Sequence, residues 1–138
     1  MLVLDASVAL AWCFEDEKHA AALALLDRIA ESRASVPWHW WLEVGNGLVV
    51  ARRRRRLRRE PQDVMMMLAA LPLRVDTGAI MLGSPSSVLT LAERHGLSTY
   101  DAAYLELSLR LGLPLATLDH DLAQAARSTG IAPALASA

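Results

Sequence analysis

The sequence predicts an α/β sandwich built around a parallel sheet, folded as one domain over residues 1–138. Three observations carry this. Strand-like and helical stretches alternate along the chain. Leu2-Val3-Leu4 is a short apolar run without polar alternation, as expected of a strand buried on both faces. No repeat of solenoid type and no linker divides the 138 residues, of which 54% are hydrophobic, enough for a single packed core.

The elements follow in order. After the first strand the pattern turns helical from Ser7 to about Arg33, where Ala22, Leu25, Leu26 and Ile29 recur at three- and four-residue steps. Val36-Pro37 breaks it and marks a second short strand. A long helix is expected from Trp40 to Arg59, stopped by Pro61, with Gly45 and Gly47 inside it. A shorter helix over Gln62–Leu71 precedes a third strand, Leu73-Arg74-Val75. Gly83–Ser87 reads as a loop, Val88–His95 as a helix closed by Gly96, and Asp101–Leu111 as another closed by Gly112. Leu113–Leu118 is a core strand, followed by a helix to Ser128, a stop at Gly130 and a weak final strand over Ile131–Leu135.

A net charge of −1 does not announce a nucleic-acid binder. Cys13 is the single cysteine, which excludes an intramolecular disulfide and a cysteine-based zinc site and suits a reducing, cytoplasmic setting. The apolar start lacks a basic lead-in and is interrupted by Asp5, so it reads as a strand and not a signal peptide. No apolar run approaches the roughly 18 residues a membrane span requires.

Chemistry is suggested by acids. Leu2-Val3-Leu4-Asp5 and Leu115-Ala116-Thr117-Leu118-Asp119 both run from strand to aspartate. Ligands of open parallel sheets bind at the carboxyl ends of strands, so two such acids would face one crevice. Either one could instead simply cap the following helix. Glu43 lies early in a helix dominated by Trp40, Trp41, Leu42 and Val44, where a lone carboxylate is costly to bury; Asn46 shares its face. Asp101 opens a helix, where it could serve only the helix dipole. Carboxylates gathered in one pocket repel unless neutralised, and Mg2+ or Mn2+ would do this with oxygen ligands. Such a site suits phosphodiester cleavage.

In four stretches the chain resembles the PIN-domain ribonucleases, and among them the VapC-type toxins. These are Leu4-Asp5-Ala6-Ser7, Val36-Pro37 through Leu42-Glu43-Val44-Gly45-Asn46, Leu97-Ser98-Thr99-Tyr100-Asp101-Ala102-Ala103-Tyr104, and Ala116-Thr117-Leu118-Asp119. The resemblance implies a three-layer α/β/α fold, Mg2+- or Mn2+-dependent RNA cleavage, homodimerisation and inhibition by a cognate antitoxin. It also gives Asp5, Glu43, Asp101 and Asp119 the acidic-site roles, with Asp5, Asp101 and Asp119 as metal ligands. Ser7, Asn46 and Thr117 would support them, and Asp121 is a secondary acid.

Arg52–Arg59 places seven arginines in eight positions. Arg52, Arg55, Arg56 and Arg59 could meet RNA phosphates or an acidic antitoxin segment, or form a solvated helix end. Trp38, Trp40 and Trp41 read as core or dimer interface before base-stacking platforms. His39 and His120 read as surface histidines, and Met65-Met66-Met67 as adaptable packing.

Two rival classes use the same residues, an acid-based phosphatase or receiver domain and a non-catalytic module. An acid-based phosphatase also places an aspartate after a strand, but the haloacid-dehalogenase pattern of Asp-x-Asp meets Asp5-Ala6-Ser7 here. A receiver domain needs a late lysine, and Lys18 is the only one. A non-catalytic dimeric interaction module would use the acids merely as helix caps.

Overall fold

The computed structural model describes residues 1–14, 19–78 and 85–135. Four strands, β1 (Leu2–Leu4), β2 (Ala34–Pro37), β3 (Leu73–Asp76) and β4 (Leu115–Ala116), form one sheet in the order β3-β2-β1-β4. Every pairing is parallel: Val3 lies opposite Ser35 on one side and Leu115 on the other, and Val36 opposite Val75. The described residues contribute seven helices: α1 (Ala6–Cys13), α2 (Ala20–Glu31), α3 (Trp40–Arg53), α4 (Pro61–Ala69), α5 (Pro85–His95), α6 (Thr99–Leu111) and α7 (His120–Ser128). This is the expected three-layer α/β/α sandwich.

The central strands are buried on both faces, as their uniform apolarity requires. Leu2, Val3, Leu4, Ala34 and Val36 join Val8, Ile29, Trp40, Leu48, Tyr104 and Leu105 in one core. Helix α6 packs across β1, β2 and β4. Helices α1 and α3 pack closely because Gly47 has no side chain: a Cβ there would stand 2.6 Å from Leu10 Cδ1. Gly112 closes α6 in the left-handed region, at φ 63°, as its type suggests.

Several boundaries differ from the sequence reading. The stretch from Ser7 is two helices, interrupted between Cys13 and Ala20; Glu15–Lys18 lie outside the described residues. The long helix stops at Arg53, not Arg59. Arg55 adopts φ 56°, and five adjacent cationic side chains gain little by staying on one helix end. Of the expected loop, Gly83 and Ser84 lie outside the described residues, whereas Pro85–Ser87 open α5; proline tolerates a first helical turn. The strand expected over Leu113–Leu118 is only Leu115–Ala116, and Ile131–Leu135 contributes a single bridge, Pro133 to Leu115. No described helix is long and apolar enough to cross a membrane.

Candidate active site

Parallel strands bring their carboxyl ends to one edge. The strand order therefore lines up Asp76, the Trp38-His39 turn, Asp5 and Thr117 along it. Strand order reverses at β1, which has β2 on one side and β4 on the other. Asp5 stands at this switch point, where open α/β sheets form their crevices.

Asp5 is 5% exposed. It occupies the N-cap position of α1 but makes no side-chain cap bond, so helix capping does not account for it. Its Oδ2 instead accepts the Ser7 hydroxyl at 2.5 Å and the Thr117 hydroxyl at 2.6 Å. Ser7 Oγ in turn accepts the Leu118 amide, and Thr117 Oγ1 accepts the Asp119 amide, each at 3.0 Å. Two hydroxyls thus tie the aspartate to the loop leaving β4. Burial pushes the Asp5 carboxyl up to about 6; the Ser7 and Thr117 hydroxyls oppose this, while the Glu43 and Asp101 charges add to it.

Glu43, on the first turn of α3, accepts the Tyr104 hydroxyl. Burial raises the Glu43 carboxyl above the usual range, the Tyr104 bond draws it back, and the Asp101 charge adds to the rise. Tyr104 is fully buried and its phenol is held protonated, first by burial and then by the Asp5 and Glu43 charges, so it is a permanent donor here. Asp101 sits one turn into α6. Its amide bonds the Ser98 hydroxyl at 3.1 Å, and its Oδ2 accepts that hydroxyl at 2.5 Å. The helix therefore starts at Thr99 with Ser98 as cap, and Asp101 completes a reciprocal capping pair. The mutual charge effects join Asp5, Glu43 and Asp101 in one electrostatic cluster.

Asp119 caps α7 through the Leu122 amide at 2.8 Å, as an aspartate ahead of a helix is suited to do. Its backbone amide donates to Thr117 Oγ1, but its carboxylate is not among the charges that raise Asp5 or Glu43, so the structure does not join it to the cluster. Asp121 is exposed and pairs with His120 at 3.3 Å, and Asn46 is exposed on α3. Replacing Asp119 by alanine should cost about 1 kcal/mol through the lost cap, and by asparagine almost nothing. Comparing the two melting temperatures checks this, and an equal loss in both would show that the charge, not the cap, stabilises α7.

His39 is not the surface residue its sequence context suggests. It is 4% exposed, enclosed by the rings of Trp38, Tyr100 and Tyr104 at centroid distances of 5.2–5.9 Å. Burial lowers its imidazole below the ordinary value, so it is neutral near pH 7, against the pull of a backbone bond to Tyr100 and the Asp101 charge. Its Nε2 is 3.4 Å from Glu43 Oε2, outside hydrogen-bond geometry, and is left buried without a hydrogen-bond partner. Trp40 is core, Trp41 is partly buried against it, and Trp38 is exposed.

The donor set suits a hard divalent cation. Its members are oxygen donors, and Asp5 and Glu43 carry raised carboxyls that a positive charge would relieve. Among the described residues no three histidine, cysteine, aspartate or glutamate side chains are gathered closely enough to enclose an ion alone. That is compatible with Mg2+, which keeps several waters and takes one or two carboxylates together with substrate phosphate.

The sequence reading gives Tyr104 no role and does not include the ion network Asp76–Arg110–Glu106. Arg110 Nη2 is 2.6 Å from Asp76 Oδ2, and Nε is 2.8 Å from Glu106 Oε1. Signals for them exist in the chain. Tyr104 follows Asp101 by three residues on one helical face, Arg110 follows Glu106 by four, and Asp76 ends β3 as Asp5 ends the run of β1.

The comparisons agree with this fold. The crystal structure of PAE2754 from Pyrobaculum aerophilum superposes with a TM-score of 0.65 at 22% identity, covering 90% of this chain and 83% of that one, and shares the fold. No curated protein sequence matches the chain. A family model for the PIN domain matches residues 2–128, which span every described strand and helix. The chain belongs to the PIN-domain family, a family of nucleases.

Proposed function

We propose that the chain is a Mg2+- or Mn2+-dependent endoribonuclease, the toxin of a toxin–antitoxin pair, acting as a cytoplasmic homodimer restrained by a cognate antitoxin. The observation that carries the nuclease reading is Asp5. A buried carboxylate held by two hydroxyls and facing two further acids at a switch point is a poor way to stabilise a fold. It is a good way to hold a cation against a phosphate.

In this reading Asp5, Asp101 and Asp119 would hold the ion and Glu43 completes the acidic set. A divalent ion bound there would supply charge neutralisation for a phosphodiester and favour ionisation of an attacking water. The chain's own groups have separate tasks. Ser7 and Thr117 fix the Asp5 carboxylate, and Tyr104 holds Glu43 in one rotamer. Neutral His39 closes the apolar side of the cluster. The phosphatase reading is weaker, because Ser7, where that pattern has a second aspartate, donates to Asp5 and brings no second charge. Melting with and without Mn2+ separates a nuclease from a non-catalytic module: a metal-linked rise in wild type supports the site, and none argues for helix caps alone. Exposed Leu42, Val49, Met66 and Met67 on α3 and α4 offer apolar area for a second copy, so the methionine run is only partly the internal packing its composition suggests.

The arginine run lies at the opposite end of α3 from Glu43, about 15 Å away for ten residues of helix. Arg52 pairs with Glu60 at 2.5 Å, Arg56 lies 5.0 Å over the Phe14 ring, and Arg59 contacts Met67. RNA binding by the run predicts that Arg53, Arg54 and Arg55→Gln together flatten the salt dependence of affinity, by about 0.7 in logarithmic slope per lost phosphate. Antitoxin binding predicts an unchanged slope with lost inhibition. A salt series of RNA affinities decides between them.

A further inference from the structure

A second feature occupies the same edge of the sheet. A cavity of about 460 Å3 opens over β2 and β3, beside the acidic cluster, which lies over β1 and β4. Such a volume falls within the range of small-molecule clefts. Its walls are apolar, from Val88 and Leu89 of α5 and Ala103 and Leu107 of α6. Trp38 and Tyr100, both among its lining residues, are exposed aromatic rings. Charged groups are confined to Asp76, Glu106 and Arg110, and His39, Thr99 and Tyr100 add neutral polar atoms. His39 belongs to both sites: it lines the cavity, and its Nε2 stands 3.4 Å from Glu43.

We propose that this cavity seats one unpaired nucleobase of the RNA beside the cleaved phosphodiester, and that it favours a base carrying an exocyclic amino group. The inference rests on the ribonuclease reading and adds a source of base preference to it. Three features select this occupant. Exposed aromatic rings next to an apolar slot suit a flat heterocycle, and single-stranded RNA is recognised by stacking its splayed bases. The charged groups are two carboxylates and one guanidinium, an excess of negative charge that repels a phosphate or an acidic peptide and attracts N–H donors. Arg110 directs four of its five N–H donors to Asp76 and Glu106, whereas each carboxylate has lone pairs beyond those bonds. The charged groups of the cavity therefore offer chiefly acceptors. Cytosine N4, a donor, matches them, and uracil O4, an acceptor in the same place, does not.

The test is equilibrium binding, by fluorescence anisotropy, of labelled hexamers of cytidylate, uridylate and abasic ribose-phosphate in EDTA, where no cleavage intervenes. Wild type should bind the cytidylate hexamer about tenfold more tightly than the uridylate hexamer, equivalent to 1.4 kcal/mol, and the abasic hexamer should bind most weakly. Ala103→Leu, which fills the slot, should bring all three to the abasic level. Trp38→Ala, at a ring already 48% exposed, should reduce the base-dependent part without disturbing the core. Equal affinity of wild type for all three hexamers would overturn the proposal, as would a preference that survives both substitutions; either is also the result if the cavity serves a partner's peptide. A parallel Mn2+ cleavage assay keeps the two readings apart. Cutting without base preference sinks the cavity alone, and base preference without cutting sinks the nuclease alone.

Discussion

Asp5→Asn should abolish RNA cleavage and at the same time raise the stability of the metal-free protein at pH 7. The sign follows from the carboxyl's environment. Its folded value of about 6 lies above the ordinary 3.8. A group raised in this way contributes nothing against folding below the unfolded value, where both states are protonated. It destabilises increasingly as pH climbs from about 4 through about 6, and above that the full effect is about 3 kcal/mol at 1.36 kcal/mol per pKa unit. Asparagine keeps the shape and never ionises, and the Ser7 and Thr117 hydroxyls can still bond its carbonyl oxygen. In EDTA the variant should therefore melt higher than wild type at pH 7 and close to it at pH 4. Cleavage should fall more than about 100-fold, since even partners one step removed from a metal ligand cost 10- to 100-fold. The Mn2+-dependent rise in melting temperature should vanish as well. A variant that melts lower at pH 7, or that cuts RNA at the wild-type rate, would show Asp5 to be a structural aspartate.

That pairing of lost activity with gained stability is also why the acids were legible in the sequence. A polar residue at the end of an apolar strand or on an apolar helix breaks the local pattern, and function is what compensates for the break. Asp5 and Glu43 stand out on those grounds. Asp101 and Asp119 are harder cases, because both also do what acids do at helix starts, in the Ser98–Asp101 pair and in the Asp119–Leu122 bond. The parallel sheet was equally legible from Leu2-Val3-Leu4, whereas the end of α3 was not. Helical propensity of arginine favours continuing through Arg59, and the break at Arg54 and Arg55 follows from the turn into α4 and from crowded charge. His39 was misread because its burial comes from Tyr100 and Tyr104, some sixty residues away in the chain, and no local pattern carries that contact.

Loss of the guanidinium below the cavity should produce the largest destabilisation of any single surface-accessible side chain on this edge. Arg110 is 24% exposed, Asp76 11% and Glu106 7%, so the three are charges largely withdrawn from water. Arg110→Met keeps the aliphatic stem and leaves two partly buried carboxylates without their shared cation. Breaking a buried pair from one side costs about 3–5 kcal/mol, and the partial exposure of Arg110 places the expected loss near 3. The pH dependence distinguishes this cause from a packing defect. In wild type, burial would raise the Asp76 carboxyl, but the Arg110 bonds and charge, with the Gly78 amide and the Arg74 charge, hold it below its ordinary value. Its contribution to stability is present above pH 3.8 and lost as pH falls through the lower folded value. Without Arg110 the largest group opposing burial is gone, so acidification should cost the variant less stability than it costs wild type. The gap between their urea midpoints should therefore narrow from pH 7 towards pH 3.5. Adding Asp76→Asn and Glu106→Gln to Arg110→Met should recover most of the loss at pH 7, because no unpaired charge remains. A gap that stays constant with pH, or a triple variant no more stable than Arg110→Met, would assign the loss to packing of the arginine stem.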